Sequence, residues 1–392
     1  MAKTIVLFHG NLNTLNLFTD QMREGFEALG YDIFLFDLEQ SMQSLGSLYA
    51  LLQKQPVVAM VGFNSAFFGL QTESGVKVWE QLNIPCINIL VDHPYWYRDI
   101  LLKSPANSAI LCVDRNHMSF VNRFYPQIEM NGFLAHGGTP AKRELKLIKY
   151  RHIDVLYAGS LYADYAAIQK PDFTRWNFPA EKICEEAAAY LKENRQITIE
   201  QALEECLIRS RVRLNEEELC EFISSCVFIE RVVSSHFREK IVETVAKSGI
   251  SLALYGSGWE KCDWLSLPNV HYGGMISPED VLDKMEDTKI VLNTFPWFKD
   301  GSHERIFNGM LRKCVIASDI SAYMEEILPR DVWCGFSLSD QEIDALPQRL
   351  QTLLADTEGM QRMADAGYEI AVCEHTWQMR AREIHEGILT YL

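Results

Sequence analysis

The first third of the chain alternates short apolar runs with amphipathic stretches. Each run is continuously apolar, which predicts strands buried on both faces, as in a parallel sheet covered by helices. Strand–helix alternation at this spacing predicts a doubly wound α/β domain over residues 1–145. The predicted strands of this domain are 4–8, 32–36, 57–63, 86–91, 109–113 and 127–133.

The same alternation returns in a second predicted domain, residues 151–375, after the basic stretch 142–151, which we interpret as a solvated linker. Its predicted strands are 153–159, 250–256, 269–274, 289–295, 314–319 and 332–336. Acidic, helix-forming sequence fills the gap between the first two of these strands. We interpret residues 165–247 as an all-helical insertion that provides a surface for an oligomer or another partner.

Composition narrows the function classes. The 392 residues carry a net charge of -16, with a pI near 5.1, which argues against a nucleic-acid binder because phosphate contacts need clustered Lys and Arg. The 10 cysteines include no C-x-x-C pair, so we expect reduced thiols and no metal site. No apolar run reaches the ~18 residues of a membrane span. We therefore expect a cytoplasmic protein.

Several strands of the second domain are followed by small or polar residues. The carboxyl ends of parallel strands form the ligand-binding edge of such sheets, so these residues outline a nucleotide pocket. A glycine after a strand is otherwise explained by a sharp turn. The candidate donor-binding residues of these loops are Ser160, Gly256, Ser257, Gly258, Trp259, Tyr272, Gly273 and Asn293.

The segment 301–319 (GSHERIFNGMLRKCVIASD) carries the most chemistry. Ser302 is placed to cap a helix whose first turn holds His303, Glu304 and Arg305. An arginine there can bind a diphosphate through charge-assisted hydrogen bonds, and Asn308, three residues later, shares its face. The alternative is a capped surface helix with an Arg–Glu pair.

The stretches LYGSGWE, NVHYGGMISPEDV, KIVLNTF, ERIFNGMLRKCVIASD and HTWQMRAREI resemble the donor domain of group 1 glycosyltransferases of the GT-B fold. The resemblance covers residues 250–392 and is closest to the spore-maturation CgeB-like branch; the first domain fits in fold pattern only. In many members Glu stands at the position of Asn308 and Gly at that of Lys313.

The resemblance implies two Rossmann-like domains, with a nucleoside-diphosphate sugar held mainly by the second and an acceptor in the cleft. It implies no obligatory metal and no cofactor besides the donor, for which UDP is our first expectation. It also implies that a final helix, residues 376–392, crosses back onto the first domain.

Polar residues after strands of the first domain supply the catalytic candidates Asp92, His93 and His9. A carboxylate beside an imidazole can be tuned toward neutral pH, so Asp92 and His93 could activate or orient an acceptor hydroxyl. The alternative for both is a strand-end turn packed in the core.

The leading hypothesis is a metal-independent glycosyltransferase acting on a protein, glycan or small-molecule acceptor. A nucleotide-sugar epimerase shares the two-domain fold and would need no acceptor. A catalytically inactive relative that uses the helical insertion as an interaction module is the third hypothesis. The products formed from nucleotide sugars distinguish the three.

Overall fold

The computed structural model describes residues 3–10, 12–71, 77–162 and 171–391. The chain divides into two compact units, one of residues 1–139 with 373–392 and the other of residues 140–372. Each unit is built on a six-stranded parallel sheet with helices, which confirms the predicted fold class.

The first sheet has the strand order β2-β1-β3-β4-β5-β6, and every neighbouring pair is parallel. Strands β4 and β5 are buried along their whole length, whereas the edge strand β2 is partly exposed. The strands are β1 Thr4–His9, β2 Asp32–Asp37, β3 Val57–Phe63, β4 Cys86–Leu90, β5 Ser108–Cys112 and β6 Met130–Phe133. The helices between them are α1 Asn13–Ala28, α2 Ser41–Leu52, α3 Val78–Leu82, α4 Arg98–Leu101 and α5 Arg115–Phe124.

The second sheet has the order β12-β11-β10-β7-β8-β9 and is also parallel throughout. Its strands are β7 Ile153–Ala158, β8 Leu252–Tyr255, β9 Val270–Tyr272, β10 Thr288–Asn293, β11 Val315–Asp319 and β12 Cys334–Phe336. Strand β10 lies between β7 and β11, so the ends of β7, β8 and β10 share one edge of the sheet.

The helices of the second unit are α6 Ala180–Glu193, α7 Ile199–Arg209, α8 Glu216–Ser225, α9 Phe228–Lys247, α10 Pro278–Glu286, α11 Glu304–Met310, α12 Ala322–Ile327, α13 Asp340–Ala355 and α14 Thr357–Glu374. Helices α6 to α9 lie within the predicted insertion, of which residues 165–170 fall outside the described residues. Helix α9 runs directly into β8, which pairs in parallel with β7. Parallel strands need such a crossover, so α9 belongs to the β7–β8 unit itself.

The basic stretch 142–151 lies in the second unit and is mostly exposed, as expected of a solvated segment, but Ile148 and Arg151 are buried. Arg151 is buried and donates hydrogen bonds to the carbonyl oxygens of Thr288 at 2.7 Å and Arg312 at 2.8 Å. The chain is therefore held against the second unit before β7 begins. The division between the units falls between Thr139 and Pro140.

The last helix, α15 Trp377–Gly387, packs on α1 of the first unit. Trp377 is fully buried, with its ring 4.5 Å from that of Phe18. The expectation of one helix over 376–392 is wrong at its end, because α15 stops at Gly387 and a short 3-10 turn follows at Leu389–Tyr391. No helix in the described ranges has the length and apolar character of a membrane span.

Candidate functional site

The loops that follow β7 and β8 are hydrogen-bonded to each other. The amide of Gly159 donates to the carbonyl oxygen of Tyr255 at 2.9 Å, and the amide of Leu161 donates to that of Ser257 at 2.8 Å. The Ser160 hydroxyl oxygen accepts from the amide of Ser257 at 3.2 Å. The two predicted serines therefore lie together at the edge of the second sheet.

Glycines make this loop contact possible. Gly258 has a φ of +88°, and a Cβ there would lie 1.6 Å from the carbonyl oxygen of Leu161. Gly256 has a φ of +122°, and its Cβ would lie 2.4 Å from the carbonyl oxygen of Gly159. Both glycines thus serve the packing of one loop on the other. This packing alone requires glycine at both positions, whether or not a ligand approaches the backbone there.

Trp259 lies beneath the loops and not on the pocket wall. Its side chain has no exposed surface, and its Nε1 donates to the carbonyl oxygen of Gly159 at 2.9 Å. Its ring packs against those of Tyr157 and Trp264. The expectation that Trp259 contacts the donor is wrong, because its apolar area is used to support the loop.

Tyr272 and Gly273 also shape the loop after β8. The Tyr272 hydroxyl lies 2.8 Å from the carbonyl oxygen of Gly256 and 2.5 Å from Glu260 Oε1. Burial, with the Glu260 carboxylate as a second cause, raises the pKa of Tyr272 to about 12, so its hydroxyl stays a hydrogen-bond donor. A Cβ on Gly273 would lie 2.2 Å from the Tyr255 ring.

Helix α11 is capped by His303 and not by Ser302, whose side chain is fully enclosed. His303 Nδ1 lies 3.3 Å from the amide of Arg305 and 2.8 Å from Glu304 Oε2. One ring nitrogen cannot accept and donate at once, so the tautomer of His303 decides between capping the helix and binding Glu304. Burial lowers the pKa of His303, which favours the neutral ring.

Arg305 occupies the end of β10. Its Nη1 donates to Asn293 Oδ1 at 2.5 Å, and its guanidinium lies 5.9 Å from the centre of the Tyr157 ring. Asn293 is held in turn by a 2.9 Å hydrogen bond to the Ser318 hydroxyl on β11. Asn308, one helical turn after Arg305, is only 7% exposed, so little of its side chain reaches solvent.

Arg238 on α9 is a site residue that the sequence analysis missed. Its Nη1 donates to the carbonyl oxygen of Ser160 at 2.6 Å, and its guanidinium lies 5.1 Å from the centre of the Trp297 ring. Burial lowers the pKa of Arg305, Tyr157 and Glu304 act in the opposite direction, and the charge of Arg238 adds to the lowering. Among the described residues, neither arginine has a carboxylate within ion-pair distance.

In the first unit, the side chains of the consecutive residues Asp92 and His93 have different environments. Asp92 is exposed and accepts hydrogen bonds from Asn64 Nδ2 at 2.8 Å and from the Tyr97 hydroxyl at 3.0 Å. His93 is 5% exposed, and its ring stacks 3.7 Å from that of Tyr95. Burial holds the pKa of His93 well below its usual value. His93 is therefore a neutral core histidine, and the expected catalytic role for it is wrong.

His9, at the end of β1, is partly exposed and lies beside a carboxylate. Its Nε2 is 3.2 Å from Asp20 Oδ1, with 26% of the His9 side chain and 38% of the Asp20 side chain exposed. Asp20 was missed because it lies within α1, where sequence alone predicts a solvated helix face. Over the ranges that the structure describes, no group of three His, Cys, Asp or Glu side chains could hold a metal ion.

Residues 235–386 match a family model described as glycosyl transferase-like. The match begins inside α9, so it includes Arg238 as well as Arg305. No curated protein matches the chain in sequence.

Solved structures of the same architecture cover almost the whole chain. Sucrose-phosphate synthase from Thermosynechococcus elongatus has a TM-score of 0.54 at 10% identity, covering 99% of each chain. An α-glucosyltransferase in complex with UDP has a TM-score of 0.57 at 9% identity, covering 100% of each chain. Anabaena HepE in complex with UDP and glucose has a TM-score of 0.51 at 11% identity, also covering 100% of each chain.

The protein has the GT-B fold. At such identities the solved structures establish the fold alone, and the glycosyl transferase-like match covers residues 235–386. Together they support a glycosyltransferase. The assignment to the CgeB-like branch stays a prediction.

Proposed function

We propose that this protein transfers a glycosyl group from a nucleoside-diphosphate sugar, and that Arg305 and Arg238 bind the diphosphate. The observation that carries the proposal is that two guanidinium groups lie at neighbouring strand ends with no carboxylate partner in the described part of the chain. Both arginines are only partly exposed, and enclosing cationic groups without a counter-charge is unfavourable. A diphosphate would restore charge balance and accept several of their N–H donors.

The same two side chains support a metal-independent reaction. When the sugar leaves, negative charge develops on the terminal phosphate of the nucleotide. Fixed guanidinium groups stabilise that charge in the transition state, as a divalent cation does in other transferases. Arg305 is held for this role by Asn293, and Arg238 by the carbonyl oxygen of Ser160.

UDP is the nucleotide we propose. Both the α-glucosyltransferase and HepE structures contain UDP, and HepE contains glucose as well. The Ser160 and Ser257 hydroxyls lie 3.1 Å apart beside the Arg238 contact and provide further hydrogen-bonding groups for the donor.

On the acceptor side, we propose that His9 activates a hydroxyl of a glycan, protein or small molecule. His9 Nε2 lies 3.2 Å from Asp20 Oδ1, so the carboxylate can stabilise the protonated ring as His9 accepts the acceptor proton and the new glycosidic bond forms. The bond from the anomeric carbon to the diphosphate breaks, and its electron pair leaves with the nucleotide. Asp92, exposed at the end of β4, is proposed to orient the acceptor.

Thermal shift with UDP, GDP, ADP and TDP tests donor binding, because a ligand that binds only the folded state raises the unfolding temperature. The proposal predicts stabilisation by UDP above the other three. A panel of UDP-sugars, analysed by mass spectrometry, then separates transfer or hydrolysis from epimerisation. Absence of stabilisation by any nucleoside diphosphate at millimolar concentration would contradict the donor site.

A further inference from the structure

Two buried cysteines of the second unit lie in contact. Cys184 is on α6, and Cys226 caps the carboxyl end of α8 just before α9 begins. Their Sγ atoms are 3.1 Å apart, and the residues are 1% and 0% exposed. They are 42 positions apart in sequence, so the fold alone brings the thiols together.

This geometry needs little change to form a covalent bond. A disulfide has its sulfurs about 2.05 Å apart, so the two Sγ atoms must approach by about 1 Å. Helices α6 and α9 are packed against each other, so the bond would join elements that are already neighbours.

We propose that Cys184 and Cys226 are a redox modification site, where a reversible disulfide fastens α6 to the start of α9. The inference is independent of the proposed glycosyl transfer. Each thiol loses one proton and one electron, and an oxidant of the diazene class takes up both protons and both electrons to become a hydrazine. A thiol reductant reverses the reaction by exchange.

The bond has a predictable effect on stability. Closing the chain between residues 184 and 226 removes conformational freedom from the unfolded state, which stabilises the folded state. It also anchors the start of α9, the helix that carries Arg238 to the loop after β7. The oxidised protein should therefore unfold at a higher temperature than the reduced protein.

The test uses the full chain with Cys373→Ser, because Cys373 is exposed and would form disulfides between molecules. The protein is treated with diamide, its remaining thiols are alkylated, and peptides are mapped by mass spectrometry without reduction. We expect a linked pair of peptides containing residues 184 and 226, lighter by two hydrogens than the separate peptides. We also expect a rise in unfolding temperature that a reductant reverses.

Cys184→Ser and Cys206→Ser in the same background are the matched controls, since both cysteines are buried in neighbouring helices. The first should lose both the linked peptides and the temperature shift, and the second should keep them. Full alkylation of Cys184 and Cys226 after diamide treatment, in protein shown to be folded, overturns the proposal. So does a disulfide from either cysteine to a different partner.

Discussion

Arg238 Nη1 donates a 2.6 Å hydrogen bond to the carbonyl oxygen of Ser160, which joins helix α9 to the end of strand β7. This contact places α9 in the candidate donor site. The sequence analysis interprets the same helix as part of an insertion, residues 165–247, that provides a surface for an oligomer or another partner. Removal of residues 165–247 should therefore affect nucleotide binding.

Replacement of 165–247 by a short loop should abolish UDP binding, because it deletes Arg238 and the β7–β8 crossover. Arg238→Ala tests the same point in the intact chain. We expect UDP affinity to fall about tenfold to a hundredfold, as for loss of a charge-assisted contact of about 1.5–3 kcal/mol. Arg238→Lys should recover part of it. Isothermal titration with UDP measures the affinities, and unchanged affinity in folded Arg238→Ala would remove α9 from the site.

Gly258→Ala should destabilise the second unit and weaken UDP binding, because the new Cβ would lie 1.6 Å from the carbonyl oxygen of Leu161. Gly274→Ala is the matched control. Its φ of +67° is also in the left-handed region, but a Cβ there meets nothing within 4 Å. Thermal unfolding should show a clearly larger loss for Gly258→Ala, and equal losses would mean that backbone strain alone explains both glycines.

Lys313 is held at a φ of +52°, a conformation that favours glycine. This explains why glycine occupies the position in many members of the resembling family. Lys313→Gly relieves about 1 kcal/mol of strain and loses the 2.8 Å ion pair with Asp365, a partly exposed contact that contributes at most about 1 kcal/mol. We expect equal or slightly higher stability by chemical denaturation. A loss of about 3 kcal/mol, the size expected when one partner of a buried pair is removed, would show that the ion pair dominates.

Asp20→Asn should reduce turnover while leaving UDP affinity unchanged. The amide cannot stabilise a protonated His9 as the carboxylate does. A general base contributes about 100-fold to 10,000-fold to the rate, and we expect Asp20 to account for at least about tenfold of this. Glu27→Gln, exposed on the same helix, is the control and should behave as wild type. Wild-type turnover in Asp20→Asn would exclude the His9–Asp20 pair from catalysis.

The strands were predictable because burial on both faces leaves a continuous apolar run, and residues 57–63 form β3 with the bounds that the run predicts. The loops that follow strands were predictable for the same topological reason, which placed Arg305 and Asn293 together. Contacts between segments that are distant in sequence were not predictable. Arg238 and Asp20 lie on helices and look like solvated residues until the fold brings them to a strand end.

The site predictions that were wrong concern side chains that have both an apolar and a polar part. Trp259 and His93 follow strands, as ligand-binding residues do, but their rings pack in the core. Trp259 Nε1 donates to the carbonyl oxygen of Gly159, and His93 Nδ1 accepts from the amide of Tyr95. A sequence does not show which way such a side chain turns. Ser302 failed as a helix cap for a related reason, since its hydroxyl is enclosed and the helix begins one residue later.

The most direct test of the donor site is calorimetric titration of UDP into wild-type protein and into Arg305→Ala. Circular dichroism and a melting curve first establish that the variant is folded. Binding of the diphosphate by Arg305 predicts a loss of affinity of about tenfold to a hundredfold, with Arg305→Lys between the two. Wild-type UDP affinity in folded Arg305→Ala would contradict the diphosphate site and the glycosyl-transfer proposal built on it.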